Sequence, residues 1–162
     1  MSLLKDIEAV LHSKTLSGAN LELALNRVLD HFQCSAGTIH ILEEPSGLLM
    51  LRASKGVPAI VLDRVRTVPI GKGMAGLAAE RRQPVQVCNL QTDRSGATKP
   101  MARETRMEGA IAVPMLIGDQ LSGVLGVAKP VTYEFEQAEI SLLLEIGSLI
   151  AKQLDPTVAN NP

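Results

Sequence analysis

The glycine-rich segment from Gly71 to Gly76 comes nearest to a chemical motif, because it has the spacing G-x-G-x-x-G ahead of a predicted helix. In dinucleotide-binding folds this spacing lets backbone amides hold a pyrophosphate, and Asp93 lies at a suitable distance for a ribose contact. However, the next strands meet at a tight Gly118-Asp119 break, whereas a dinucleotide fold alternates strands and helices. We therefore interpret the glycines as serving a tight turn and a close helix approach. The amides at this helix start, beside Lys72, remain a candidate site for an anionic group.

Cys34 and Cys88 have no CxxC spacing and no nearby histidine that completes a set of metal ligands. Reduced thiols that pack as small buried side chains are therefore expected, and no disulfide or zinc site is predicted. Cys88 is the better candidate nucleophile because it lies closer to a long polar segment. His40 alone among the histidines falls on a predicted strand face. A hydrogen-bonded or solvent-facing histidine is favoured there over a polar pocket residue, and both are favoured over a haem or metal ligand. No cofactor, metal site or catalytic residue is predicted, since no hydrolase or metalloprotease motif is found.

The polar segment from Asn89 to Glu108 combines arginines with methionines. Arginine binds carboxylate or phosphate through paired hydrogen bonds, and methionine adapts to an apolar guest. Two interpretations remain open: a lid over a ligand, or a solvated loop whose arginines pair with neighbouring carboxylates. The residues concerned are Arg94, Lys99, Met101, Arg103, Arg106 and Met107.

Size and charge restrict the classes of function. A chain of 162 residues predicts one module with a full hydrophobic core. The net charge of -1, with one Tyr, two Phe and no Trp, argues against a nucleic-acid partner. Lys5, Asp6 and Glu8 interrupt any N-terminal signal core, and no apolar run reaches membrane-spanning length. A cytoplasmic protein without a membrane partner is expected.

The segment from Gly109 to Lys129 predicts the central structural element, because two apolar runs rich in β-branched residues flank the Gly118-Asp119 break. A two-residue connection favours antiparallel pairing. Neither run alternates cleanly between apolar and polar residues, so both faces of this hairpin are expected to be covered.

Periodicity predicts the remaining elements. In the first strand, Ile39 and Ile41 should share one face, and Thr38 and His40 the other. The predicted helices are Leu3 to Leu11, Asn20 to Phe32, a short turn over Ala59 to Val65, the LAAERR segment before Pro84, and a last helix from Thr132 or Tyr133 to Leu154. The predicted strands besides the hairpin are Cys34 to Glu44, Leu48 to Ser54, Arg66 to Ile70 and Val85 to Cys88.

This layout, the segment VPIGKGMAGLAAERRQPVQVCNL, the hairpin GAIAVPMLIGDQLSGVLGVAK and the closing amphipathic helix together resemble a GAF domain over residues 19–154. Residues 1–18 are then an N-terminal amphipathic helix, and residues 155–162 a flexible tail. The resemblance implies an α+β, PAS-like fold with a central antiparallel sheet. Terminal helices should cover one face, and loops and short helices should cover a small-molecule pocket on the other. GAF modules are usually sensors inside larger proteins, and this one is expected to be free-standing.

The pocket is predicted to lie under the basic loop, where small side chains leave volume for a ligand or for packed loop side chains. Met50 and Arg52 of the second strand are expected on the same face as Thr38 and His40. The predicted ligand-binding residues are Thr38, His40, Met50, Arg52, Met74, Arg94, Met101, Arg103, Met107, Ala110 and Ala112.

Three functions follow from the resemblance. The favoured one is a noncatalytic sensor that binds a small anionic metabolite and signals through a homodimer of its terminal helices, whose apolar surface exceeds one narrow stripe. The alternative to the dimer is a monomer whose first helix folds onto its last. A second function is reduction of free methionine sulfoxide, although the extra cysteines of such enzymes are missing after Leu90, where only Ser95 and Thr98 occur. The third is a dimerisation module without a ligand.

Overall fold

The computed structural model describes residues 2–11, 18–92 and 106–154. Within these ranges the chain forms five helices and six strands. The helices are α1 (Leu3–Leu11), α2 (Gly18–Phe32), α3 (Ala59–Val65), α4 (Gly73–Arg81) and α5 (Gln137–Leu154). The strands are β1 (Ala36–Glu43), β2 (Leu48–Lys55), β3 (Thr67–Pro69), β4 (Val85–Val87), β5 (Gly109–Ile117) and β6 (Gln120–Lys129).

The strands form one sheet in the order β3-β2-β1-β6-β5-β4, and all neighbouring pairs are antiparallel. The β5–β6 hairpin turns at Gly118, whose φ of 61° lies in the left-handed region that glycine adopts easily. The long-range pairing of β1 with β6 joins this hairpin to the β1–β2 hairpin. The predicted α+β architecture with a central antiparallel sheet is therefore confirmed.

The two faces of the sheet carry different layers. On one face, α2 and α5 bury large apolar side chains against the sheet, including Leu25, Ile146 and Ile150, which are all fully buried. On the other face, a smaller cluster packs Ala78 and Ala79 of α4 against Leu49 and Val124. The predicted coverage of both sheet faces is thus observed, with the heavier layer on the α2–α5 side.

Helix α1 contacts α2 and α5 of the same chain, and its buried residues are Leu3, Ile7 and Leu11. Its main apolar stripe is therefore covered within one chain. No helix in the described ranges has the length and apolar character that are needed to cross a membrane.

Helix α5 begins later than the sequence predicted, at Gln137 instead of Thr132 or Tyr133. The reason is that the preceding segment bonds to strand ends: the Gly109 amide donates to the Val131 carbonyl at 2.9 Å, and the Tyr133 amide donates to the Cys88 carbonyl at 3.1 Å. The Glu136 amide then donates to Glu139 Oε1 at 2.9 Å, which satisfies one of the free amides at the helix start.

Gln33, which directly follows α2, has a backbone conformation whose strain can be tested by mutation. Its φ of 56° is left-handed, and the Cys34 amide donates back to the Leu29 carbonyl at 2.9 Å, as in a Schellman C-cap. We expect Gln33→Gly to raise the free energy of unfolding by about 1 kcal/mol, because glycine adopts this conformation without a Cβ clash. Urea denaturation measures the change, and Gln33→Ala serves as the control without a gain. Equal stabilities of the two variants would contradict the assignment of strain.

Candidate functional site

A cavity of about 230 Å³ lies between the sheet and the segment that carries α3 and the start of α4. Strands β1, β5 and β6 provide its floor, and Leu90 and Met107 contribute from the polar segment. The volume is below the range of about 300–1,000 Å³ that drug-sized ligands occupy, so a guest must be small.

Two transverse rows of small residues form the floor. In the first row, Gly126 of β6 pairs with Thr38 of β1 on one side and with Ala112 of β5 on the other. In the second row, Ala128 pairs with Ala36 and Ala110 in the same way. All six residues line the cavity. Because side chains directly opposite in an antiparallel pair share a face, the small side chains stack across three strands and leave volume above them.

The next row toward the β5–β6 turn is bulkier, since Val124 pairs with both His40 and Pro114. A Cβ built on Gly126 would lie 3.3 Å from Thr38 Oγ1, a close contact. The depth of the floor therefore depends on this glycine, and a larger side chain there projects into the cavity.

The walls are mostly apolar, and the formal charges among the described lining residues are those of Arg64 and Lys72. Both side chains are exposed, so they lie toward solvent and can meet a guest at the rim. The apolar wall residues are Val57, Val61, Val65, Val68, Met74, Leu90 and Met107.

The glycine-rich segment adopts the tight turn that its spacing suggested. Gly71 and Gly73 have φ of 92° and 66°, and a Cβ at Gly76 would lie 2.5 Å from the Pro69 carbonyl oxygen. The Gly76 amide donates to the Lys72 carbonyl at 3.1 Å, which is the first α-helical bond of α4. No side-chain cap covers this helix start, where Lys72 to Ala75 line the cavity. The structural interpretation of the glycines agrees with this geometry.

His40 joins the floor to the layer above it. Its side chain is 2% exposed, and Nε2 lies 2.7 Å from the carbonyl oxygen of Val65, at the end of α3. Since a carbonyl only accepts, the imidazole Nε2–H is the donor. His40 thus lines the cavity, and its Nε2–H donates a hydrogen bond to the last residue of α3.

Comparison with known proteins adds a family assignment to this geometry. The sequence-family model of the GAF domain matches residues 19–155 of this chain. The chain belongs to the GAF domain family. Among curated proteins, this GAF domain is 24% identical over 154 residues to protein YtsP of Bacillus subtilis (strain 168), and the match covers 94% of this chain and 88% of YtsP.

Two solved structures resemble this GAF domain. The GAF domain from Acinetobacter phosphoenolpyruvate-protein phosphotransferase has a TM-score of 0.80 and 22% identity, covering 100% of this chain and 99% of that chain. The free methionine-R-sulfoxide reductase from Neisseria meningitidis, solved in complex with its substrate, has a TM-score of 0.75 and 21% identity, covering 93% and 85%. At these identities the similarity shows the fold alone. That fold occurs in these two structures as one domain of a phosphotransferase and as a methionine sulfoxide reductase.

The structure places the predicted ligand-binding residues in three groups. Six line the cavity, two of β2 do not, and three fall outside the described residues. Whether the six bind a ligand stays a prediction. The first group is Thr38, His40, Met74, Met107, Ala110 and Ala112; the second is Met50 and Arg52; the third is Arg94, Met101 and Arg103.

The prediction that Met50 and Arg52 share a face with Thr38 and His40 is wrong. The β1–β2 register shifts between Ile39 and His40, so that Met50 pairs with Ile41, on the opposite face from His40. Arg52 is the extra residue of this bulge and is exposed. A one-residue shift moves every later side chain to the other face, and nothing in the local sequence announces it.

The sequence analysis also missed much of the cavity lining. Gly126 and Ala128 alternate along β6 opposite Ala112 and Ala110, and this matched period of small residues in a predicted hairpin is a signal that could have found them. The α3 residues Val61, Arg64 and Val65 carried no such signal, because a short helix reveals which face it buries only in the fold.

The two cysteines differ in exposure. Cys34 is half-buried, whereas Cys88 is exposed just beyond β4, which corrects the expectation that both thiols are at least partly buried. Burial raises the pKa of the Cys34 thiol from 9.0 to about 11, and the nearby positive charge of Lys129 opposes this shift only in part. Cys34 is thus a poor nucleophile near neutral pH. Within the described ranges, no three His, Cys, Asp or Glu side chains cluster to suit a metal ion.

This contrast predicts two-phase labelling by a disulfide reagent such as DTNB at pH 8. We expect the exposed Cys88 to react first and Cys34 at least tenfold more slowly. Burial restricts access to the Cys34 thiol and raises its pKa from 9.0 to about 11, which lowers its thiolate fraction about a hundredfold. The slow phase should accelerate about tenfold per pH unit between pH 8 and 10, because the thiolate fraction of Cys34 rises about tenfold per pH unit below its pKa. Cys88→Ser should remove the fast phase alone. A fast phase that persists in Cys88→Ser would contradict this assignment.

Proposed function

We propose that this GAF domain is a noncatalytic sensor of the cytoplasm that binds a small molecule between the sheet and the α3–α4 segment. The observation that carries this proposal is the floor of six small residues, Ala36, Thr38, Ala110, Ala112, Gly126 and Ala128. Protein interiors are normally close-packed. A cavity between these small side chains and the α3–α4 segment is therefore better explained by a bound molecule than by unfilled space.

The lining indicates the class of guest. Valines and methionines suit a compact apolar body, and methionine adapts to its shape. Arg64 and Lys72 at the rim, with the uncapped start of α4, suit a carboxylate or phosphate group. We therefore propose a small organic anion whose apolar part lies over the floor. The sequence predicts that Arg94, Met101 and Arg103 also contact the ligand, as part of a lid. These three residues lie outside the described ranges, so their proposed role rests on the sequence alone.

The signal is proposed to leave through a homodimer of the terminal helices. The buried stripe of α1 is covered within the chain, but further apolar residues of α1 and α5 that pack beside the core remain only partly buried. Pairing of two copies through α1 and α5 would bury these residues further. The residues concerned are Leu4, Val10, Ile140, Leu142, Leu144, Leu149 and Leu154.

Native mass spectrometry of freshly purified protein tests both parts of the proposal. We expect a dimer that carries a retained small molecule in each subunit. Gly126→Val should lose the molecule and keep the dimer, because the new methyl groups occupy the floor next to Thr38 Oγ1. Ser122→Val, on the same strand but outside the cavity lining, is the matched control and should keep both.

A guest of equal occupancy in Gly126→Val would place the ligand elsewhere. Protein without any guest, and without a thermal shift in a screen of small carboxylates and phosphates, would favour the third interpretation, a dimerisation module. For comparison, a ligand at about a hundredfold over its Kd stabilises by about 2.7 kcal/mol, which such a screen detects easily.

Reduction of free methionine sulfoxide is the second candidate function. The observations that favour it are the fold shared with the Neisseria reductase and the exposure of Cys88, two residues before the cavity residue Leu90. The methionine-lined cavity is compatible with such a substrate, but Cys34 has too high a pKa to assist.

An assay of free methionine sulfoxide reduction with a thiol reductant decides this question. Under the sensor proposal we expect no turnover in the wild type. Activity that disappears in Cys88→Ser and survives in Cys34→Ser would instead establish the reductase, with Cys88 as nucleophile. Activity that is undiminished in Cys88→Ser would remove Cys88 from the chemistry.

A further inference from the structure

Helix α3 covers part of the cavity and is held there by few interactions. It has seven residues, and Val61 is its only buried residue. Its start has no side-chain cap, Ile60 is 58% exposed, and α3 makes only sparse contacts with the other helices and strands. A helix this short is marginal in water on its own, so the contacts that do exist decide where it lies.

The segments on either side of α3 are fixed to the sheet. A Cβ on Gly56, whose φ is 71°, would lie 2.0 Å from the Ser35 carbonyl oxygen, so the chain passes tightly against β1 there. After the helix, the Arg66 carbonyl accepts from the Leu51 amide of β2 at 2.9 Å. Helix α3 is therefore a short arc between two anchored points, and movement of the arc leaves the sheet intact.

One face of this arc meets the cavity. Val61, Arg64 and Val65 line it, as expected for residues three and four apart on one helix face. Across the cavity, the Nε2–H of His40 donates to the Val65 carbonyl at 2.7 Å. This bond spans from the floor strand β1 to the last turn of α3, and it lies where water has little access, since His40 is 2% exposed.

We propose that His40 is a positioning residue that latches α3 over the cavity, so that a guest enters and leaves when the bond to Val65 opens. The inference rests on the proposed small-molecule site and adds its gate. Helix α3 belongs to the weakly held part of the fold, from which binding-site lids are usually drawn. The bond to Val65 requires the tautomer in which the neutral imidazole carries its proton on Nε2.

Hydrogen exchange detected by mass spectrometry tests the latch without any guest. The matched pair is His40→Gln and His40→Asn, because the glutamine amide reaches about as far as Nε2 and the asparagine amide does not. We expect the peptide that contains residues 59–65 to exchange about tenfold faster in His40→Asn, and within threefold of the wild type in His40→Gln. Peptides from β5, β6 and α5 should be unchanged in both.

Equal exchange of α3 in the two variants would overturn the proposal, and so would faster exchange across the whole sheet in His40→Asn, which would mean a general structural role. If His40→Asn does not fold, the wild type decides. Its α3 amides should exchange by a local opening that low urea leaves unchanged. Exchange of α3 only through global unfolding would overturn the gate.

A second measurement follows a guest directly, with benzoate as the probe and NMR line shapes as the readout. We expect the dissociation rate of benzoate to rise about tenfold in His40→Asn and to return toward the wild-type value in His40→Gln. Faster α3 exchange together with no benzoate binding in the wild type would support the latch and count against an anion site in this cavity. Benzoate binding with equal dissociation rates in all three proteins would overturn the gate and leave the proposed site in place.

Discussion

The antiparallel register around β6 is the constraint on which the rest of this structure depends. It places Gly126 between Thr38 and Ala112, and Ala128 between Ala36 and Ala110, so that small side chains fall opposite one another on three neighbouring strands. A shift of one residue in either pairing would turn valine and leucine side chains toward the cavity and fill it. The cavity therefore depends on the strand register, because the same residues in another register would leave no space.

The layers on the two faces of the sheet differ in how extensively they are buried. On the α2–α5 side, large side chains are fully buried, and Lys129 donates to the Phe32 carbonyl at 2.5 Å while its ammonium lies 4.1 Å from the centre of the Tyr133 ring. These contacts hold the end of β6 to the end of α2, where the helix dipole favours a cation. On the other side, α3 has one buried residue and one side-chain bond to the floor. The α2–α5 layer therefore makes more buried contacts with the sheet than α3 does, and this difference supports the proposed opening of α3.

Membership of the GAF family does not by itself decide between sensor and enzyme, since the fold occurs both in one domain of a phosphotransferase and in a methionine sulfoxide reductase. The distinction lies in side chains at the site. Here the thiol of Cys34 is held in its protonated form by burial, and Cys88 is exposed beyond β4, outside the cavity lining. The apolar walls and the two basic rim residues support the proposed recognition of a small anion, for which no chemical step is needed.

The sequence by itself determined the elements, the central hairpin and the family, because these follow from local periodicity, turn residues and one contiguous pattern. It also predicted that Ala110 and Ala112 lie on the cavity face, since β5 has a regular period of two there. Only the tertiary structure decided the bulge that turns Met50 away from His40, the pairing of β1 with β6, and the bond from His40 to Val65. Each of these joins residues that are distant in the chain or depends on a one-residue shift in register. Long-range packing energy settles such choices, and local sequence preference does not encode it.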